Sequence, residues 1–107
     1  MSIQQILEQL QSLLKQQKEN SGGTKEEFNK IEGIIKVLRE ENINENFDGT
    51  IQEIHSYVDK SKETDSLDEW VQFHKLNLSR WVEELSLLID GGGKVTIDYE
   101  QRKGREV

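Results

Sequence analysis

Two histidines, His55 and His74, are the side chains in this sequence best suited to metal or proton chemistry. Imidazole titrates near neutral pH and ligates zinc through either ring nitrogen. Both fall on apolar helical faces, His55 beside Ile51 and Val58, His74 between Val71 and Leu78. A hairpin turning near Thr64 would set them at similar height on facing helices, with Asp59, one turn beyond His55, as the local candidate for a further ligand. Zinc needs more ligands than that, so the expectation is two histidines with ordinary hydrogen bonds and no metal. Gly91-Gly92-Gly93-Lys94 has the composition of a phosphate-binding loop. That chemistry needs a strand before the glycines and a helix after them, so that N–H groups and a helix dipole converge on the anion. Here the order is reversed, and the glycines are expected to stop a helix. The sequence has no Cys nucleophile, no glycine-framed Ser and no pair of His on one helical turn. Carboxylates are abundant, but none stands in an apolar setting that would raise its pKa. The expectation is a chain that is not an enzyme and carries no cofactor.

The elements that position these residues read as helices. Four segments space apolar residues by three and four, and each opens with a hydroxyl residue followed three positions later by Glu or Gln: Ser2/Gln5, Thr24/Glu27, Thr50/Glu53 and Ser66/Glu69. In a capping box the hydroxyl accepts from a first-turn N–H and the Glu or Gln reaches back to the N–H of the cap. The pattern predicts helices over 3–18, 25–42, 51–62 and 67–90. The first presents Ile3, Ile6, Leu7, Leu10, Leu13 and Leu14 on one stripe; the second presents Phe28, Ile31, Ile34, Ile35 and Leu38. Gly33 costs the second helix about 1 kcal/mol relative to Ala and is expected to mark a close helix crossing. The third, with Ile51, Ile54, Tyr57 and Val58, is the weakest.

Short connections force successive helices antiparallel. The expected fold is therefore all-α, a four-helix up-and-down bundle or helical array over residues 1–93. Beyond the glycines, Val95, Ile97 and Tyr99 alternate with polar residues, which predicts a short extended or disordered C-terminal tail over 94–107.

Composition narrows the function classes. Of 107 residues, 30 are Leu, Ile, Val or Phe, enough for a lean core; Cys, Pro and Ala are absent. The formal charge is −7, the wrong sign for nucleic acid or an anionic membrane as main partner. Residues 1–93 carry 18 acidic residues against ten basic, a balance of −8. Basic protein surfaces are the better electrostatic match. No apolar run approaches membrane-spanning length and the first ten residues do not read as a signal peptide, so a cytoplasmic location is expected.

The fourth helix is the most informative. Leu67, Trp70, Val71, His74, Leu78, Trp81, Val82, Leu85, Leu88 and Ile89 form one broad face, and a thinner row of Phe73, Leu76, Arg80 and Leu87 lies roughly opposite. Either this helix is interior and covered on both sides, or the second row awaits a partner. On the second alternative Phe73, Leu76 and Leu87 anchor a partner protein, Arg80 orients the contact, and Asp65, Asp68 and Glu69 steer a basic surface toward it. In size and charge the chain is similar to acidic four-helix immunity proteins, which neutralise toxins. Phe47-Asp48-Gly49, between two helical halves, resembles the Trp-x-Gly turn of the WXG100 proteins, with Phe in place of Trp. That resemblance implies a helical hairpin and a secreted or structural role tied to type VII secretion, as a homodimer.

Overall fold

The computed structural model describes residues 2–41 and 45–91. Helix α1 spans Ile3–Asn20 and α2 spans Lys25–Arg39. Both start in the expected capping boxes. Ser2 Oγ accepts from Gln5 N–H at 3.1 Å while Gln5 Oε1 accepts from Ser2 N–H at 3.1 Å, and Thr24 with Glu27 repeats the pattern at 3.2 and 3.1 Å. Helix α1 ends on Ser21, held in the left-handed region at φ 52° and ψ 37°. A non-glycine residue there is costly, and distant residues hold it in place: Gln72 Nε2 donates to its carbonyl at 3.1 Å and Lys75 Nζ to its hydroxyl at 2.9 Å.

The third expected box does not form. A 3-10 turn at Glu45–Phe47 feeds directly into α3, Asp48–Ser61, so Thr50 lies inside the helix. Its hydroxyl donates to Glu84 at 2.6 Å, and Glu53 accepts from Arg80 and Trp81. Tertiary partners have taken both side chains from the local cap.

The single helix expected over 67–90 is two. Helix α4, Leu67–Phe73, starts with Ser66 Oγ accepting from Glu69 N–H at 3.3 Å, and α5 spans Lys75–Asp90. At the joint, His74 adopts φ −99° and ψ 15°, and its N–H is shared between the carbonyls of Trp70 and Val71 at 3.2 and 3.1 Å. The His74 ring Nδ1 also lies 3.0 Å from the Trp70 carbonyl oxygen. A carbonyl only accepts, so Nδ1 carries the proton in this bond. One oxygen thus serves a backbone and a side-chain donor, and the helical ladder tightens to a 3-10 turn where they compete.

Helix α1 runs antiparallel along α4–α5, with Gln11 Nε2 donating to Val82 O and Ser86 Oγ at one level and Ser21 meeting Lys75 at the other. Helix α2 packs along α3, also antiparallel, with Glu32 paired to Lys62 at 2.7 Å. The product is an all-α helical array of five α-helices, with no strand among the described residues. Its core joins Leu7, Leu10 and Leu14 to Phe28, Ile31, Ile35 and Leu38, to Ile51, Ile54, Tyr57 and Val58, and to Val71, Leu78, Trp81, Leu85 and Leu88. Packing leaves no room for a side chain at Gly22 or Gly23: a Cβ on Gly23 would sit 2.8 Å from Gln17 Nε2 and 3.2 Å from Phe28 and Val71, and one on Gly22 would run into the Asp68 carboxylate. Gly33, expected at a helix crossing, faces open space instead, with nothing within 4 Å of a Cβ.

Five helices also replace the hairpin that the WXG100 resemblance implies, since the loop at Gly22 and Gly23 divides α1 from α2, and Phe47-Asp48-Gly49 leads into α3. The extended tail expected over 94–107 lies outside the described residues. No helix among the described residues is long and apolar enough to cross a membrane.

Candidate docking face

The alternative left open for the second row of the fourth helix is decided by what flanks α5. Helices α1 and α3 both pack against α5, and the second row stays exposed beside them. Phe73 is 81% exposed, Leu76 86% and Leu87 64%, the three most exposed large apolar side chains among the described residues.

Phe73 is exposed but braced. Its ring stacks on Trp70 at a centroid distance of 6.5 Å and meets His74 edge-on at 5.1 Å. Trp70 stacks in turn on Tyr57 at 6.2 Å, and Tyr57 packs against Phe28 at 5.2 Å and Trp81 at 5.2 Å. A ladder of rings therefore runs from the surface into the core. The Trp70 indole N–H is satisfied by the Tyr57 carbonyl at 3.1 Å. Burial, with a smaller push from Glu27, raises the Tyr57 hydroxyl pKa well above its ordinary value, so the ring stays neutral. A cleft of about 290 Å³ opens beside the ladder, lined by Glu53, Tyr57, Trp70, His74, Arg80 and Trp81 among others.

Arg80, expected to orient a partner, is first a clasp within the chain. It lies 2.7 Å from Glu53 Oε1 and 3.6 Å from Glu84 Oε2, with 46% of its side chain exposed. The Trp81 indole N–H donates to the same Glu53 oxygen at 2.9 Å. That bond and then Arg80 hold the Glu53 carboxyl below its usual range, and Glu53 in turn raises the Arg80 pKa. Of the three acidic residues expected to steer, Asp68 is engaged in structure, its Oδ1 accepting from Gly23 N–H at 3.2 Å. Asp65 and Glu69 are exposed at the start of α4.

The two histidines are not brought together as the hairpin argument allowed. His74 lines the aromatic cleft, whereas His55 lines a separate one with Glu32, Ile35, Lys36 and Arg39 of α2 and Glu40 at its C-cap. No group of three or more His, Cys, Asp or Glu able to hold a metal ion occurs among the described residues. A second apolar surface, not foreseen from sequence, is a groove of about 1020 Å³ between α1 and α2, lined by Ile6, Leu13, Gly33, Ile34 and Val37 with polar residues at its rim. The residue missed on the α5 face is Glu83, exposed between Leu76 and Leu87. Its signal was the spacing, seven from Leu76 and four from Leu87, which a search for apolar residues passes over.

Among the described residues, fold and surface together define a small all-α helical array with an exposed apolar row along α4–α5. A family model described as YtzH-like protein matches residues 1–85, and the chain belongs to that family. It is 28% identical over 64 residues to YtzH of Bacillus subtilis (strain 168), an alignment covering 59% of this chain and 70% of that protein. The family match takes in Phe73, Leu76, Arg80 and Glu83 and stops short of Leu87. No solved structure matches the chain.

Proposed function

We propose that this chain is a non-enzymatic protein-binding module that docks through the α4–α5 face, with Phe73 and Leu76 as its anchors. The observation that carries the reading is their exposure, 81% and 86%, three positions apart and flanking the helix joint at His74. Each is an apolar side chain whose burial by a partner would contribute about 1.5–3 kcal/mol, and Phe73 is pre-positioned by Trp70 and His74, which lowers the entropy lost on binding. Leu87 extends the row about three turns further. The chain's charge of −7 and the exposed Asp65 and Glu69 favour a basic partner surface, approached under electrostatic steering. The proposed role is an acidic inhibitor or immunity-type protein that masks such a surface, in the cytoplasm.

The test is capture of partners by the intact chain at low and moderate salt, in parallel with a Phe73→Glu/Leu76→Glu variant. The expected result is one basic protein, released as salt rises and absent from the variant. Equal capture by the variant would remove the anchors from the argument. A second reading, a secreted or structural helical subunit acting as a homodimer, is favoured by one specific observation: the exposed row carries both signs of charge.

A further inference from the structure

The uncovered row is longer than its apolar residues. On α5, Leu76, Arg80, Glu83, Leu87 and Asp90 follow one another at alternating steps of four and three, and all five are exposed, with Phe73 beside the row across the His74 joint. That alternation averages 3.5 residues, the repeat that keeps side chains facing a second helix along its whole length. The buried face of α5 already holds Leu78, Trp81, Leu85 and Leu88 against the core, so this row is a second seam, met by its own chain where Arg80 pairs with Glu53 of α3.

The order of residue types says which helix fits. We infer that the seam pairs with the same seam of a second copy of this chain, the two α5 helices running antiparallel about a two-fold axis midway between positions 80 and 83. In that register Leu76 packs on Leu87 of the second copy, Arg80 meets Glu83 of the second copy, and symmetry repeats both contacts. The flanking positions agree: Ser79 comes opposite Ser86, and Asn77 opposite Glu84, so hydroxyl and amide groups line the edges and no like charges are opposed. A parallel pairing in register sets Arg80 against Arg80 and Glu83 against Glu83, and is disfavoured by that repulsion. Arg80 serves the new carboxylate without releasing Glu53, because it keeps 46% of its side chain exposed and a guanidinium has five donors. The seam from Leu76 to Leu87 is roughly 17 Å long at 1.5 Å per residue, so the contact is small and the dimer concentration-dependent.

This inference rests on the reading of the α4–α5 face as a docking surface and gives that face to a second copy; Asp65 and Glu69, beyond the paired layers, stay open to a basic partner. The experiment is sedimentation of the intact chain over a concentration series. Wild type is expected to rise with concentration from 12.5 kDa toward twice that mass. Glu83→Arg and Arg80→Glu are each expected to weaken association by about tenfold or more, and an equimolar mixture of the two to restore it, because every central contact then pairs opposite charges. Arg80 also braces Glu53, so a second measurement leaves it untouched. The natural chain has no Cys, and Ser79→Cys mixed with Ser86→Cys should oxidise to a cross-linked dimer. A wild type that stays monomeric at all concentrations overturns the pairing, as does a dimer that survives Glu83→Arg and fails to cross-link. If that monomer still captures a basic protein through Phe73 and Leu76, the docking face stands with another occupant; if it captures nothing, both readings fall.

Discussion

Tyr57 donates its hydroxyl to Oε1 of Gln17 at 2.8 Å inside the array, where Gln17 is fully buried and Tyr57 is 2% exposed. This buried polar side-chain pair joins α1 to α3, and it sits under the inner end of the aromatic ladder. Tyr57→Phe strands the Gln17 oxygen without water, and a stranded acceptor costs more than the bond itself contributes. The expected loss is about 1–3 kcal/mol in equilibrium urea unfolding. Adding Gln17→Leu to Tyr57→Phe should recover part of it, since both ends are then apolar; a double variant weaker than the sum of the singles would contradict this account.

Glu53 gives the α3–α5 contact a pH dependence. The Trp81 indole bond and then Arg80 depress its folded pKa below the ordinary value of about 4.5. A depressed carboxyl contributes stability that is fully present above the unfolded pKa and lost as pH falls through the folded one. Wild type should therefore exceed Glu53→Gln above about pH 4.5, with the gap closing as the solution is acidified further. Half of the Glu53 side chain is exposed, so screening keeps the difference at neutral pH below about 1 kcal/mol. Glu32 titrates in the same direction through Lys62, so the comparison of the two proteins, and not the acid limb of wild type alone, isolates Glu53.

What was legible in the sequence was local. Ser2 and Thr24 cap their helices because hydroxyl and return side chain both lie within four residues of the groups they satisfy. Thr50 and Glu53 carry the same signature, yet Glu84, Arg80 and Trp81, some 27 to 34 positions away, outcompete the local bonds. The break at His74 was hidden because apolar spacing continues through it, and its cause is a ring nitrogen reaching back to the Trp70 carbonyl. Phe73, Leu76, Arg80 and Leu87 separate from the core face on spacing alone. Whether they are covered depends on which helices flank α5, a property of the packing and not of α5 itself.

Gly33 offers a test of local propensity free of packing. It lies in the interior of α2, and a Cβ there would meet nothing within 4 Å. Gly33→Ala should therefore stabilise the chain by about 0.5–1 kcal/mol through the unfolded state and the helix. In a thermal melt of a domain this size that is a rise of roughly 2–8 °C. A fall in melting temperature would show that the α1–α2 groove closes on Gly33 in solution.

Leu76 and Leu78, two positions apart on α5, should respond to substitution in opposite ways. Leu78 is 0% exposed and belongs to the core, whereas Leu76 is 86% exposed. Leu78→Ala removes buried methyl groups and leaves a cavity, with an expected cost of about 2–5 kcal/mol. Leu76→Glu replaces one good helix former by another at a wet position, and at low protein concentration, where association adds nothing, it should shift stability by no more than about 0.5 kcal/mol. Leu87→Glu, at 64% exposure, should follow Leu76 with a slightly larger effect. Circular dichroism under denaturant reads all three. Unfolding of Leu76→Glu would place that side chain inside the fold and remove the docking face with it. Intact folding together with lost association is the outcome that a surface row built for a second helix requires.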